Sequence, residues 1–397
     1  MLTFLIFIAV LAVLVLSHEF GHFIVARKNG IQVEEFGFGF PPRLIGVRQV
    51  KFAGKKKLEI IWSKRKLLET LEHEHAGTIY SINLLPLGGF VKIKGESGSE
   101  ADVNDPDSFF TKKTWQKSAV ISAGVVMNFV LAAILLGVGY MIGMPQLSDD
   151  YAGTDSKLQI IQVLPDMPAG KAGIKEGAVI LSVNSASENL QNPNVTNFRE
   201  FVSKHRNEEL RVIFIQDGKT IEKNLKPEPI EGTDRAGLGV GIINIGTLRY
   251  PWYRAIYEGF VTAFSYLGMI FAGLWSLIAQ IFSGKSVAGQ VAGPVGVAVL
   301  TGEAARLGVV YLLQFTALLS LNLAAINILP IPALDGGRLL FILIAKIFKK
   351  EVPARIEQTI HLVGFTLLIT LVIFVTFKDF QLYGGSFINW WKNLISF

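Results

Sequence analysis

Ser17-His18-Glu19-Phe20-Gly21-His22 lies near the end of an apolar run that begins at Leu2. On a helix, His-Glu-x-x-His directs both imidazoles to one face, where they can bind one zinc ion. Glu19 is then placed to accept a proton from a water that the metal acidifies. Ionisable groups inside hydrocarbon cost on the order of 2–3 kcal/mol or more each and are usually functional. We therefore predict a metal site within the membrane, the alternative being a histidine pair satisfied in a helical core.

The composition of the chain favours a membrane protein. It has 397 residues, of which 50% are hydrophobic, 28 are Phe and none is Cys. That is too apolar for a soluble protein of this length and predicts several spans. The net charge is +6, but the basic residues cluster beside apolar runs, so topology and anionic lipid explain them better than nucleic acid. The absence of cysteine excludes disulfides and thiolate metal sites.

Four apolar runs have the length of membrane spans, at residues 2–26, 118–144, 307–329 and 359–377. Arg27-Lys28 follow the first run, and the positive-inside bias places residues 27–117 in the cytoplasm. Within that loop, residues 82–95 have strand character with a break at Gly88-Gly89, which predicts a cytoplasmic β-hairpin. Residues 289–300 are interpreted as a glycine-rich loop.

The pattern divides the chain into three parts. Residues 1–144 and 251–397 are membrane segments, and residues 145–250 turn polar in short periodic runs, which predicts one soluble α+β domain outside the membrane. Residues 256–282 are long enough to span but carry a weak polar stripe, so we interpret them as an amphipathic or re-entrant helix at the outer surface. The predicted fold is thus a polytopic α-helical membrane protein of about four spans plus this helix.

A second polar motif follows the third span, at residues 327–337 (NILPIPALDGG). Prolines break helices, and irregular backbone at membrane depth is tolerated only where it lines a protein cavity. Asp335, facing the two histidines, would supply the third protein ligand of a catalytic zinc and leave the fourth position for water. The alternative is that Asp335 only caps the next helix. His205, in a polar helix, is predicted to be exposed, and His361, near the start of the last span, to be interfacial.

The two motifs together resemble the site-2 protease family of intramembrane zinc metalloproteases, and more narrowly the bacterial regulator-of-sigma-E protease type. The likeness covers nearly the whole chain and includes LPLGGFVKIKGE at 85–96, SAG with a later Asn in the second span, and AGPVGV at 292–297. Val125-Val126 stand where family members often have proline. The resemblance implies one zinc ion bound by His18, His22 and Asp335, with Glu19 as the base, Asn327 holding the substrate backbone, and Asn128 lining the site.

The resemblance also implies an endopeptidase that cleaves transmembrane segments of membrane proteins, as in regulated intramembrane proteolysis. Anti-sigma factors and remnant signal peptides are the substrates implied. The location implied is the bacterial inner (plasma) membrane, with the active site near the cytoplasmic side. Because a transmembrane substrate must unwind before cleavage, we expect the strand that carries Gly88, Gly89 and Phe90 to pair with its backbone.

The soluble part resembles a bacterial PDZ domain in residues 160–165, 168–177 and 179–184. Ala178 stands where an aspartate is usual, and residues 185–197 form an insertion. Such a domain would either bind a peptide end or exclude bulky ectodomains, and both expectations stay open. The main rival function is a catalytically silent PDZ-bearing scaffold, but a structural zinc site needs no base. A transporter is a second rival, and no paired inverted halves are apparent.

Overall fold

The computed structural model describes residues 2–52, 55–62, 77–96, 105–147, 156–229, 236–285, 292–350 and 352–395. The chain forms two compact units, one of Met1–Val138, Ile256–Ala305 and Leu312–Phe397, the other of Gly139–Ala255 and Arg306–Tyr311. The helices of the described part are α1 (Leu2–Lys28), α2 (Thr114–Ile142), α3 (Pro168–Lys171), α4 (Val195–Lys204), α5 (Trp252–Phe282), α6 (Pro294–Leu307), α7 (Val309–Asn327), α8 (Asp335–Phe348) and α9 (Ala354–Ile395).

The strands fall into two groups along the chain. The first group is β1 (Val33–Phe52), β2 (Lys55–Trp62) and β3 (Ile79–Ile93). The second group is β4 (Met144–Leu147), β5 (Lys157–Val163), β6 (Val179–Asn184), β7 (Asn189–Gln191), β8 (Leu210–Gln216), β9 (Lys219–Leu225), β10 (Glu228–Pro229), β11 (Ala236–Gly237) and β12 (Val240–Leu248).

Five helices of the described chain are long and apolar enough to cross a membrane: α1, α2, α5, α7 and the Arg355–Gln381 part of α9. This composition is that of a polytopic membrane protein. Four of the five coincide with the predicted spans, and the fifth is α5, which the sequence favours as a surface helix. α1 ends just before Gly30, whose left-handed φ of +65° suits a glycine at a helix C-terminus.

The first sheet has the order β2-β1-β3 and is antiparallel throughout. Residues 35–38 of β1 pair on one side with the start of β3 and on the other with its end, so residues 89–93 form an edge of the sheet. The sequence predicts only a hairpin at residues 82–95. It misses β1 because glycines and prolines at residues 37–42 argue against a strand, although Phe36, Phe38 and Phe40 alternate.

The two faces of this sheet differ in polarity. The buried face carries charges, since Glu35 accepts hydrogen bonds from Arg43 (2.9 Å) and Ser81 (2.6 Å). The opposite face exposes large apolar side chains, among them Phe38, Val47, Leu58, Ile60, Trp62 and Ile82. This is the reverse of the arrangement in a soluble half-buried sheet.

The second unit contains an antiparallel sheet of order β4-β12-β5-β6-β8-β9, with β7 paired to β6. Its core consists of apolar residues from the strands and from α4, including Leu158, Ile160, Val183, Phe198, Leu210, Val212 and Phe214. Asn194 begins α4 with a capping box that it shares with Asn197. His205, predicted to be exposed from its charged neighbours, is only 4% exposed, because Glu188 and Glu208 bind its two ring nitrogens at 3.1 Å each.

The segment predicted as a glycine-rich loop is helical from Pro294 onward, in α6. Proline is favoured at the first helical position, where its missing N–H costs nothing. The first free amides are satisfied from a distant part of the chain: Asp379 of α9 accepts N–H groups from Gly293 (3.1 Å) and Gly296 (2.7 Å). Sequence inspection could not anticipate this partner, which stabilises the helix N-terminus.

Candidate metal centre

The two sequence motifs meet where α1 approaches the start of α8. Asp335 Oδ2 lies 3.0 Å from His18 Nε2 and 3.4 Å from His22 Nε2, and the two Nε2 atoms are 3.1 Å apart. Tetrahedral zinc with bonds of about 2.0–2.1 Å separates neighbouring ligand atoms by about 3.3–3.4 Å. Three atoms at these distances could therefore bind one zinc ion. Within the described residues, this is the one cluster of three or more such side chains with converging ligand atoms.

Asp335 is held in place by helix geometry and lacks a conventional partner. It is the first residue of α8, whose N-cap is Leu334, so Asp335 is not the N-cap that the alternative interpretation proposed. Its Oδ2 is fully buried, and no described residue satisfies it with a hydrogen bond. A buried carboxylate oxygen facing two imidazole nitrogens is costly unless a cation lies between them. This donor set fits a zinc ion.

His22 is oriented by the backbone of α2. Its Nδ1 donates to the carbonyl oxygen of Val120 at 2.7 Å. In this tautomer the proton is on Nδ1, and the lone pair of Nε2 is directed at Asp335. Metal-binding histidines commonly donate their second nitrogen to an oxygen in this way, which fixes both the tautomer and the ring orientation. The main-chain partner has no signature in the sequence.

His18 has a comparable neighbour in Asn128, which is fully buried in α2. Asn128 Nδ2 lies 3.4 Å from His18 Nδ1, and Oδ1 has no partner among the described residues. Rotating the carboxamide by 180° exchanges the two atoms, so that Oδ1 accepts the Nδ1–H of a metal-binding His18. Ser320 of α7 holds the same residue by donating to its backbone oxygen at 2.7 Å. The structure therefore brings Asn128 to the site, where it contacts a histidine.

A glycine allows α2 to pass this close to the histidines. A Cβ atom at Gly124 would lie 2.5 Å from His22 Nε2 and 2.6 Å from His18 Cε1. The same crossing is tight at Gly21, the residue before His22, because a Cβ there would meet the carbonyl oxygen of Ala123. Small residues at such crossings let membrane helices approach closely. In the sequence Gly124 is visible only as part of a motif. The structure shows that the lack of a side chain at this position leaves room for the two histidine rings.

Glu19 and the edge strand are in direct contact. Glu19 Oε2 accepts the backbone N–H of Val91 at 3.2 Å. Gly88 and Gly89 let β3 lie against α1, since a Cβ at either position would come within 2.7 Å of Val15 or 3.1 Å of Leu16. Phe90 packs over Gly37 on the neighbouring strand. The structure thus brings these three predicted residues to the strand beside the glutamate, and their observed contacts are packing contacts.

Asn327 is not drawn into the cluster. It is the last residue of α7 and is half-buried, and its side chain makes no hydrogen bond to a described residue. Its amide is thus free of the three candidate ligands. His361 of α9, predicted to be interfacial, accepts the backbone N–H of Ala333 at 2.8 Å, two residues before Asp335.

The sequence relates this chain to a family of known chemistry. The profile of peptidase family M50 matches residues 6–54 and 64–371, which include both motifs. A putative zinc metalloprotease of Clostridium perfringens is 32% identical over 367 residues, 92% of this chain and 95% of that protein. Another of Nostoc sp. is 32% identical over 382 residues, 94% of each chain. Zinc metalloprotease RasP of Bacillus licheniformis is 29% identical over 439 residues, 96% of this chain and 99% of RasP.

These likenesses extend over nearly the full length of both partners and agree with the donor set of the cluster. They confirm the predicted resemblance, the predicted enzyme class and the predicted zinc cofactor. The apolar helices agree with a membrane protein. The chain therefore belongs to peptidase family M50, the site-2 proteases, and is a zinc metalloprotease of the membrane.

Proposed function

We propose that this protein is an intramembrane endopeptidase that cleaves the transmembrane segments of membrane proteins, with His18, His22 and Asp335 as zinc ligands and Glu19 as general base. The observation that carries the proposal is the approach of the three ligand atoms to within 3.0–3.4 Å of one another, with both histidines on a helix apolar enough to span a membrane. The glutamate lies on the same helix, directly after the first ligand.

The zinc ion, when bound, supplies a Lewis acid that acidifies a water and polarises the scissile carbonyl. Glu19 accepts a proton as the water oxygen attacks the carbonyl carbon, and it then returns that proton to the leaving nitrogen as the C–N bond breaks. The products are a carboxylic acid, which then releases its proton to solvent, and an amine. The Val91 N–H keeps the Glu19 carboxylate oriented during these proton transfers. The free amide of Asn327 suits the substrate backbone, whereas that of Asn128 is taken up by His18.

Substrate recognition is proposed to use the edge of β3. In an antiparallel pair, backbone groups point alternately toward and away from the neighbouring strand. Because Val91 directs its N–H away from β1 and toward Glu19, Gly89 directs its own toward the same side. An unwound substrate segment that adds to this edge has its scissile bond beside the base. Gly88, Gly89 and Phe90 contribute to that recognition surface.

The surroundings of the site follow from the same proposal. The exposed apolar face of the first sheet contacts lipid, and α5 lies along the outer membrane surface, where its exposed Trp252, Tyr257 and Trp275 suit the interface. Residues 145–250 form an extracytoplasmic PDZ-like domain between membrane segments 1–144 and 251–397. That domain binds a peptide end of the substrate or excludes bulky ectodomains. Anti-sigma factors and remnant signal peptides in the bacterial inner membrane are the proposed substrates, and the metal site faces the cytoplasmic side.

The test is cleavage of a single-span substrate by purified protein in detergent, with zinc content measured on wild type and on Glu19→Gln. The proposal expects wild type to cut within the span and the variant to keep its zinc without cutting. Cutting by both proteins would contradict the role of Glu19. If both bind zinc and neither cuts several substrates with helix-weakening residues, the silent PDZ-bearing scaffold becomes the better interpretation.

A further inference from the structure

We propose that His361 of α9 is a positioning residue that holds the loop of residues 328–334 in the conformation that aims Asp335 at His18 and His22. This loop, called the ligand loop below, joins α7 to α8. The inference rests on the proposed role of Asp335 as a zinc ligand. His361 itself does not touch the ligand atoms and acts only through the loop backbone.

The hydrogen bonds of the ligand loop show why one outside contact matters. Pro330 and Pro332 have no N–H to donate. The amides of Ile328, Leu329, Ile331 and Leu334 donate to carbonyl oxygens within α7 or within the loop itself. The fifth amide, that of Ala333, is the one that leaves the loop, and it donates to His361 Nδ1 at 2.8 Å.

Ala333 is also the strained point of the loop. Its φ is +75°, in the left-handed region that residues other than glycine rarely adopt. Such a conformation persists only when surrounding contacts over-determine it. The next residue but one is Asp335, so relaxation of Ala333 would displace the carboxylate directly. His361 therefore accepts a hydrogen bond at the residue whose relaxation would move the Asp335 carboxylate.

α9 packs closely on the loop near this contact. A Cβ at Gly364, one turn after His361, would lie 2.5 Å from Pro332 Cβ and 2.8 Å from Pro332 O. The His361 ring also lies 5.6 Å from that of Phe341 in α8. An apolar groove of about 340 Å³ lies beside this contact, lined by Ile331 and Pro332 of the loop and by α9 residues between Thr359 and Leu371.

α9 makes a second polar contact further along the face that carries His361. Asp379 follows His361 by 18 residues, which is five turns at 3.6 residues per turn. It accepts the amides of Gly293 and Gly296 at the start of α6 and has no hydrogen bond to the ligand loop. Of these two polar contacts of α9 among the described residues, the one made by His361 reaches the ligand loop. This gives a matched control for the test.

The first measurement is zinc affinity by chelator competition on the full chain in detergent. His361→Leu removes the acceptor, and we expect zinc binding about 10–100-fold weaker, the range found when partners that orient metal ligands are lost. His361→Asn places an amide oxygen near the position of Nδ1 and should restore most of the affinity. Asp379→Asn weakens the far attachment of α9 and should leave zinc affinity unchanged. If His361→Leu does not fold, His361→Gln serves instead, because its amide lies nearer the position of Nε2.

The second measurement needs no metal. The chain has no cysteine, so Ile331→Cys introduces a single thiol into the ligand loop at a position that is 36% exposed. Its maleimide labelling in zinc-free protein should accelerate several-fold when His361→Leu is added, and neither His361→Asn nor Asp379→Asn should accelerate it.

Unchanged affinity and labelling in His361→Leu would overturn the inference, as would an equal loss of zinc in Asp379→Asn. If wild type itself binds no zinc, the proposed function fails, and the labelling rates still decide whether His361 orders the loop.

Discussion

Glu19 on α1 and Val91 on β3 are joined by a hydrogen bond of 3.2 Å between the carboxylate and the backbone amide. The two residues are 72 positions apart, and the bond fixes the proposed base against the edge of the strand proposed to receive the substrate. Any peptide that pairs with this edge is therefore registered relative to Glu19. The bond uses an amide that β1 does not need, so orientation of the base costs the sheet no hydrogen bond.

Removing that amide should slow catalysis without removing the metal. Val91→Pro deletes the N–H, and proline is tolerated at a sheet edge where the amide faces away from the neighbouring strand. A hydrogen bond to a charged group contributes about 1.5–3 kcal/mol, so kcat should fall about 10–100-fold. Val91→Ala keeps the amide and should retain wild-type kcat. An equal loss in both variants would mean that the Val91 side chain, and not its N–H, supports the reaction.

A methyl group at position 124 should abolish zinc binding. In Gly124→Ala the added Cβ meets His22 Nε2 and His18 Cε1 at 2.5–2.6 Å, so the rings must leave their positions or α2 must move. We expect metal analysis to find less than about a tenth of the wild-type zinc, consistent with disruption of a tightly packed site. Gly268→Ala is the control, because the same methyl group meets no atom within 4 Å there. Full zinc occupancy in Gly124→Ala would show that the histidines are not beside α2.

The contact between Asn128 and His18 predicts a graded series of zinc affinities. Asn128→Leu removes the acceptor for the Nδ1–H of His18, and zinc should bind about 10–100-fold more weakly. Asn128→Asp offers an acceptor oxygen in either orientation and should keep an affinity near that of wild type, provided that the folded protein is recovered. Chelator competition measures both. Wild-type affinity in Asn128→Leu would contradict the tautomer inferred for His18.

The second unit should lose stability in acid through Glu188. The Lys204 ammonium and then His205 hold the pKa of this carboxyl below its ordinary value of 4.5. A lowered pKa in the folded state adds stability that is present above the unfolded-state pKa and is lost as pH falls through the folded-state pKa. Glu188→Gln should therefore be less stable than wild type at neutral pH, and the difference should vanish in acid.

Hydrogen exchange of the β6 and β8 amides in the full chain, compared at neutral and acidic pH, measures this difference. Glu209→Gln is the control. Glu209 is exposed in the turn between α4 and β8 and forms no ion pair with a described residue. A difference between Glu188→Gln and wild type that persists undiminished in acid would contradict the electrostatic origin.

Much of the site could be predicted because its signals are local in the chain. His18 and His22 are one turn apart on a helix whose apolar run is visible in the sequence, so their shared face follows from helical geometry alone. The prolines and Asp335 mark a second segment whose polarity is unexpected at membrane depth. In the second unit, the run at residues 179–184 coincides with β6 for the same reason, whereas β12 was not predicted.

Tertiary structure decided what depends on contacts between distant residues. The start of α6 is stabilised by a carboxylate 83 residues away, His18 is contacted by an amide 110 residues away, and the ligand loop is held by His361 on α9. The sequence determined the ligand types and the helix that carries two of them, because side-chain chemistry and periodicity are written residue by residue. Backbone groups such as the Val91 amide and the Val120 carbonyl are alike at every position, so only the folded chain decides which of them orient the site.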